Sequence, residues 1–183
     1  MLPPDHLHIS DNLRLTPILP EDHPAHLALM QRIYPPAFAY LWPDEGAWYV
    51  DHVHGKAPFL RDLATPDAPY YHVYYHEQLV GILRLMLHAP CPDHPEISAL
   101  KLDRVYLADE VRGQGIGKAL VAYAREETIR QGKEILWLDR MDSNEATINF
   151  YRNLGFTECG QFRLTFETMP PKYRGMWRVI LRV

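Results

Sequence analysis

The sequence predicts an α/β protein in which strands and helices alternate along much of the chain. An apolar stretch at residues 99–107 leads into a loop with glycine at every second position and then into an amphipathic helical pattern. A second apolar stretch, at residues 134–138, is followed by another helical pattern. Two such strand–helix successions, with strand patterns before and after them, are typical of this fold class.

The N-terminal part of the chain predicts one strand and two helical regions. Alternating apolar residues indicate a strand over residues 13–18. Proline and acidic residues at 20–22 predict a helix start, and we expect Pro35 and Pro36 to end that helix, because proline disfavours the helical conformation of the residue before it. The second helical region covers residues 47–63.

The remaining elements follow from periodicity and from turn residues. The first is a hairpin of strands 71–75 and 79–87 that turns at 76–78. A strand over 98–107, a helix over 115–131 that Gly132 stops, and a strand over 134–138 come next. The last are a helix that Ser143 or Asn144 caps and Gly155 stops, and two final strands over 158–166 and 176–183. No internal repeat or linker interrupts this order, so we expect a single domain over residues 1–183.

Composition excludes several function classes. The chain has 183 residues, of which 47% are hydrophobic and 23% charged, with a net charge of −4. Such a composition is that of a soluble globular protein, and the lack of a basic cluster predicts no nucleic-acid partner. No apolar run is long enough to span a membrane, and residues 1–6 lack the basic region and apolar core of a secretory signal. The predicted location is cytoplasmic.

The cysteines and histidines give no metal motif in the sequence. Cys91 and Cys159 are too far apart in sequence for a C-x-x-C pair, and Cys91-x-x-His94 has no partner pair. Free thiols, scattered histidines and no metal are therefore expected.

The loop at residues 111–120 has the features of an anion cradle. Gly113, Gly115 and Gly117 allow close backbone approach, and the helix that follows presents unpaired N–H groups at the positive end of its dipole. A Walker A loop needs glycine where Arg112 stands, and a dinucleotide fingerprint needs glycine where Lys118 stands. The spacing that fits is Arg/Gln-x-x-Gly-x-Gly/Ala.

That loop resembles the acetyl-CoA loop of the GCN5-related N-acetyltransferase (GNAT) superfamily, and a second motif strengthens the resemblance. The segment N-E-A-T-I-N-F-Y-R-N-L-G-F at residues 144–156 is similar to the family pattern N-x-x-A-x-x-F-Y-x-x-x-G-F, with Thr147 in place of alanine. The resemblance implies one mixed, mostly antiparallel sheet of about seven strands flanked by about four helices. It covers most of the chain from residue 13, and its specific motifs lie between residues 102 and 156.

The resemblance implies acetyl-CoA as co-substrate and assigns residues to it. Strand backbone would hold the pantetheine arm, loop and helix N–H groups the pyrophosphate, and an asparagine the pantetheine amide. These expected contacts are Val105, Tyr106, Leu107, Arg112, Gly113, Gln114, Gly115, Ile116, Gly117, Lys118 and Asn144.

Two residues are candidates for proton transfer. By family analogy, Tyr151 would donate a proton or a hydrogen bond to the CoA sulfur. Tyr151 can alternatively be a packed aromatic residue beside Phe150, although it shares a helix face with the polar Asn144. Asp103 can act as the base that deprotonates the amine, directly or through water, or be a surface charge beside Lys101.

The predicted function is acetyl transfer from acetyl-CoA to a primary amine by direct attack in a ternary complex, with a small amine or polyamine as acceptor. The alternatives are a protein N-terminal or lysine acetyltransferase and a non-catalytic CoA-binding regulatory module. Aromatic residues between residues 34 and 49 form either helix-packing core or an acceptor wall, and one of His52, His54 and His72 is a candidate for lining the acceptor pocket. The C-terminal strand at 177–183 is expected to be exposed and able to support a homodimer.

Overall fold

A computed structural model describes residues 6–183. Residues 1–5, which fall in the segment where no secretory signal is predicted, lie outside the described residues. No helix in the described part of the chain is both long and apolar enough to cross a membrane.

The predicted mixed α/β class is confirmed. The strands are β1 Leu7–Ser10, β2 Leu13–Pro17, β3 Tyr70–Tyr75, β4 Gln78–Met86, β5 Ala99–Leu107, β6 Ile135–Met141, β7 Thr157–Arg163 and β8 Gly175–Arg182. The helices are α1 His23–Phe38, α2 Ala47–His54, α3 Lys56–Leu63, α4 Ile116–Arg130 and α5 Glu145–Asn153. The hydrogen-bonded strand order is β1-β2-β3-β4-β5-β6-β8-β7, which gives eight strands rather than about seven because β1 adds to β2.

The chain divides into two compact units, and β5 and α4 contribute to both. The first unit contains the chain up to Leu85 together with Arg104–Leu120. The second contains Met86–Asp103 and Val121–Val183.

In the first unit, the strands β1 to β4 pair antiparallel in sequence order. The predicted hairpin of β3 and β4 is confirmed, and its two turn residues, His76 and Glu77, both have positive φ, as a tight hairpin turn requires. The predicted helical region at 47–63 is divided into α2 and α3 at Gly55. The core of this unit contains the fully buried side chains Leu15, Met30, Phe59, Ile82 and Leu83.

The predicted end of the first helix at Pro35 and Pro36 is wrong. The helix α1 continues to Phe38, and a 3₁₀ turn follows at Ala39–Leu41. Proline removes a donor from the helix interior, which normally costs stability. Here the last turn is held by tertiary contacts, because the rings of Tyr34 and Phe38 stack with centroids 4.9 Å apart and both pack against Tyr106.

In the second unit, β5 and β6 run parallel, whereas β8 pairs antiparallel with both β6 and β7. The helix α5 begins after Asn144 and ends before Gly155, whose φ of +90° stops it as predicted. The expectation that residues 177–183 form an exposed strand is wrong, because β8 lies between two partners and both of its edges are hydrogen-bonded. The homodimer stays a prediction, but an exposed edge of β8 no longer supports it.

Candidate active site

The loop between β5 and α4 leaves its backbone open to a ligand. A 3₁₀ turn at Asp109–Val111 is followed by Gly113 with φ +75° and Gly115 with φ +79°. A Cβ built at either glycine meets no atom within 4 Å. The amide N–H groups in the first turn of α4 have no partner within the helix, and the positive end of the helix dipole lies there. This geometry is suited to an anionic group such as a phosphate.

Two solvent-exposed ion pairs lie along this loop. The guanidinium of Arg112 is 2.7 Å from the carboxylate of Asp109, and that of Arg32 pairs with Glu110 while donating to the carbonyl of Leu79 at 2.9 Å. A backbone hydrogen bond at Glu110, together with Arg32, lowers the pKa of this carboxyl group. The side chain of Arg112 is 64% exposed, so its ion pair contributes little and can give way to phosphate.

The end of β5, predicted to hold the pantetheine arm, is supported by close approach of β4. The amide of Ala108 donates to the carbonyl of Val80 at 2.8 Å. A Cβ at Gly81 would clash with the carbonyl oxygen of Tyr106 and with Leu107. Sequence reasoning missed this role of Gly81, and a lone glycine inside an apolar strand is the signal that indicates such an approach.

Five aromatic residues of the first unit pack together and form what we call the aromatic cluster. The hydroxyls of Tyr49 and Tyr106 are 3.2 Å apart, and the indole N–H of Trp42 donates to the hydroxyl of Tyr34 at 2.8 Å. Burial raises the pKa of Tyr106 and of Tyr34 well above the ordinary value, so both are neutral phenols. The cluster consists of Tyr34, Phe38, Trp42, Tyr49 and Tyr106.

Three buried histidines lie in the same unit and form the histidine cluster, namely His26, His54 and His72. The ring nitrogens Nε2 of His26 and Nδ1 of His54 are 3.0 Å apart, and the rings of His26 and His72 stack at 5.6 Å. Burial lowers the pKa of His26 to about 3, that of His54 to about 2 and that of His72 to about 4. Of these, the sequence suggested His54 and His72 as pocket residues but not His26.

The third histidine that the sequence suggested, His52, stacks on Trp48 instead, with ring centroids 4.4 Å apart. It is outside the histidine cluster.

In the second unit, Tyr151 lines a cavity of about 210 Å³ together with Arg140, Arg152 and Glu158. Its ring also makes edge contacts with Phe150 and Phe156, at centroid distances of 5.0 and 5.4 Å. It is therefore both a packed aromatic residue and a cavity-lining one. Burial raises the pKa of Tyr151 to about 12, which keeps its proton on the phenol at neutral pH.

The other two candidates of this unit already have partners. The side-chain oxygen of Asn144 accepts a hydrogen bond from the amide of Thr147 at 3.0 Å and caps α5. The carboxylate of Asp103 is 3.4 Å from the ammonium of Lys101, which also lies 3.2 Å from Asp139.

A family model described as the acetyltransferase (GNAT) family matches residues 27–156 of the chain. An uncharacterized N-acetyltransferase from Lactobacillus delbrueckii subsp. lactis is 23% identical over 150 residues, which is 81% of this chain and 87% of that protein. A crystal structure of the PaiA N-acetyltransferase from Thermoplasma acidophilum in complex with coenzyme A is similar with a TM-score of 0.70, at 16% identity, and covers 93% of this chain and 99% of that one.

Two shorter matches come from relatives with different acceptors in their names. A streptothricin acetyltransferase from Streptomyces lavendulae is 34% identical over 61 residues, which cover 33% of this chain and 32% of that protein. The ribosomal protein bS18-alanine N-acetyltransferase of Escherichia coli K12 is 41% identical over 46 residues, which cover 25% of this chain and 31% of that protein. Each match spans about a third of the relative's length.

Proposed function

This chain belongs to the acetyltransferase (GNAT) family and is an N-acetyltransferase, and on that premise we propose that it acetylates a small primary amine or polyamine. The amine would attack the thioester of acetyl-CoA directly in a ternary complex. The use of acetyl-CoA is supported by the open backbone at Gly113 and Gly115, where a Cβ would meet no other atom within 4 Å. Such a loop at a helix start is suited to the pyrophosphate of acetyl-CoA.

Backbone and side-chain donors of this chain would position the co-substrate. We assign the pyrophosphate to the amides of residues 112–118, with Lys118 or Arg112 adding a charge, and the pantetheine arm to the backbone of Val105–Leu107. The contact of β4 with Tyr106 through Gly81 supports this, because it restrains the backbone that has to meet the arm. The side-chain oxygen of Asn144 already caps α5. We therefore assign the contact with the pantetheine amide to the side-chain NH₂ group of Asn144.

We assign Tyr151 the role of acid toward the leaving thiolate of CoA. Its phenol is protonated at neutral pH, as at the ordinary pKa of tyrosine, and it lines a cavity. It can therefore offer its proton, or at least a hydrogen bond, to the sulfur as the thiolate forms.

We assign Asp103 the role of base toward the attacking amine. An ammonium has no lone pair, so the acceptor has to lose a proton before it can attack. The carboxylate of Asp103 accepts that proton directly or through water, and the Asp103→Asn variant should require a higher pH for full activity. Its neighbour Lys101, at 3.4 Å, also bonds Asp139 and holds the carboxylate in place.

The aromatic cluster supports a small amine as acceptor. The hydroxyls of Tyr49 and Tyr106, which are 3.2 Å apart, can offer hydrogen bonds to an amine at this cluster. The match to a streptothricin acetyltransferase favours the same class, since its name gives a small molecule as acceptor.

A protein N-terminus is the second candidate acceptor. The segment shared with the bS18-alanine N-acetyltransferase of Escherichia coli favours it, because that relative's name gives an alanine of a ribosomal protein as acceptor. Both candidates use the same chemistry at the thioester and differ only in what binds beside it.

Release of free CoA thiol, measured with acetyl-CoA and a panel of acceptors, tests the proposal. The panel contains monoamines, polyamines, peptides with N-terminal alanine or serine, and peptides with internal lysine. We expect turnover with small amines or polyamines and little with peptides. Preferred turnover of an alanine peptide would select the second candidate, and acetyl-CoA binding without turnover of any acceptor would identify a regulatory module.

A further inference from the structure

Two cysteines that are far apart in sequence, Cys91 and Cys159, meet in the second unit. The Sγ atoms of both and a carboxylate oxygen of Asp93 lie within 4.8 Å of one another. Cys91 belongs to the segment between β4 and β5, and Cys159 to β7. The sequence offered Cys91-x-x-His94 with no partner, and the fold supplies that partner from a distant strand.

The backbone of β7 is shaped around this contact. Its register with β8 passes from Glu158 opposite Val179 to Gly160 opposite Arg178, so Cys159 is the extra residue of a β-bulge. Bulges re-aim side chains and occur beside functional sites. The next residue, Gly160, has no side chain where the carboxylate of Asp93 lies, and a Cβ there would clash with it.

The segment that carries the other two residues is also held rigidly. The amide of His94 donates to the carbonyl of Cys91 at 3.0 Å, which closes a tight turn around Asp93. The indole N–H of Trp137 donates to the carbonyl of Ala89 at 2.8 Å. Cys91 itself is fully buried against Ala99, Ile135, Trp137 and Ile180.

The charges around the three residues suit a divalent cation. Arg178 forms an ion pair with Asp93 and lies 3.2 Å from Asp139. A divalent ion that displaces the two thiol protons leaves the net charge of these groups unchanged, and Arg178 still faces the carboxylate of Asp93. Thiolate sulfur together with carboxylate oxygen selects zinc over magnesium or calcium.

We propose that Cys91, Asp93 and Cys159 bind one Zn²⁺ ion, which fastens the segment between β4 and β5 to β7. The ion displaces the two thiol protons to solvent and forms two zinc–sulfur bonds and one zinc–oxygen bond, with water as the fourth ligand. Zinc–sulfur bonds of about 2.3 Å hold ligand atoms about 3.8 Å apart in a tetrahedron, so the three atoms have to close by at most about 1 Å. Asp93 is solvent-exposed and leaves an entry path for the ion.

Cobalt is the probe, because thiolate-bound Co²⁺ absorbs light where zinc does not. We expect the full-length, reduced, metal-free protein to develop a near-ultraviolet thiolate-to-cobalt band that saturates at one ion per chain and disappears on addition of Zn²⁺. The variants Cys159→Ser and Asp93→Asn should weaken Co²⁺ binding by at least about tenfold. The matched control is Asp139→Asn, which loses an ion pair with Arg178 but no proposed ligand, and it should bind Co²⁺ like the parent.

Circular dichroism and thermal unfolding of each variant establish that it is folded, so a lost band reports a lost ligand. A folded and reduced parent that gives no thiolate-to-cobalt band would overturn the proposal. So would a Cys159→Ser variant with an undiminished band. A Cys91–Cys159 disulfide, found by mass spectrometry in protein whose thiols were alkylated at lysis, would also overturn it and identify the pair as a redox cross-link.

Discussion

Among the single residues of the proposed site, Gly113 and Gly115 have backbone conformations that side-chain-bearing residues rarely adopt. Their φ angles of +75° and +79° lie in the left-handed region, and a Cβ at either position would have no protein atom within 4 Å. The same description applies to Gly132 at the end of α4, with φ +65°. Strain on substitution is therefore common to all three glycines, whereas a ligand is proposed at only two of them.

The Gly115→Ala variant should bind acetyl-CoA at least about tenfold more weakly, because the new methyl group occupies the space that the phosphate needs. Gly132→Ala is the matched control, since each substitution places alanine in a left-handed conformation at a cost of about 1–2 kcal/mol. We expect both variants to lose similar stability by chemical denaturation. Equal acetyl-CoA affinity of the two variants in calorimetry would move the phosphate site away from this loop.

The Tyr151→Phe variant should lower kcat by about 10²-fold, because it removes the proton proposed for the leaving thiolate. The KM for acetyl-CoA should change little, since the ring and its contacts with Phe150 and Phe156 remain. Steady-state kinetics on the preferred acceptor separates the two parameters. Tyr173→Phe serves as a control for the loss of a hydroxyl from the same unit, and an unchanged kcat in Tyr151→Phe would leave Tyr151 as a packing residue.

Among the helices and strands, α1, α2 and β3 are joined by the histidine cluster. His26 lies on α1, His54 at the end of α2 and His72 on β3. All three are buried, and the guanidinium of Arg104 opposes the protonation of His26 and His54, whereas Asp22 favours that of His72. These elements therefore pack together only while the imidazoles are neutral.

Stability should fall as the pH falls below 6.5, the ordinary pKa of histidine. In the folded protein these pKa values are lowered to about 4 or less, so the unfolded chain binds more protons between pH 6.5 and 4. Above pH 6.5 both states hold neutral imidazoles and the stabilisation is complete. Three such groups reach a slope of about 4 kcal/mol per pH unit at most.

Urea denaturation at a series of pH values measures this slope. His72→Gln should remove about a third of the slope, and His8→Gln, at an exposed position of β1, should leave it unchanged. A free energy of unfolding that stays constant from pH 7.5 to about 5 would show that the three imidazoles charge freely in the folded protein.

For the molecule as a whole, the proposed co-substrate should stabilise the native chain against unfolding. A ligand that binds only the folded state adds about 2.7 kcal/mol at a concentration of one hundred times its Kd. We expect a clear rise of the melting temperature with acetyl-CoA, and a much smaller one in Gly115→Ala. Thermal unfolding with and without acetyl-CoA measures both. No rise for the parent chain at millimolar acetyl-CoA would argue for a degenerate domain that has lost the co-substrate.

Local chemistry makes much of the fold predictable from the sequence. The glycines around the loop, the asparagine cap of α5 and the stop at Gly155 act within a few residues of themselves, so the local sequence is enough to predict their effects. A prediction from local sequence is wrong at Pro35, where the helix continues because Tyr34 and Phe38 pack against a strand distant in sequence. Proline destabilises the helix locally, whereas the contacts that offset this loss of stability come from residues far away along the chain.

The amino-acid sequence alone was enough for the family, the glycine loop and the succession of strands and helices, because each depends on residues that are neighbours along the chain. The folded chain was needed to find that β8 enters between β6 and β7, that Gly81 lets β4 approach Tyr106, and that Cys91 meets Cys159. Strand order and long-range contacts depend on which surfaces exclude water together. Short-range sequence patterns do not predict strand order or long-range contacts. The proposed zinc ligands could therefore be recognised only in the three-dimensional structure.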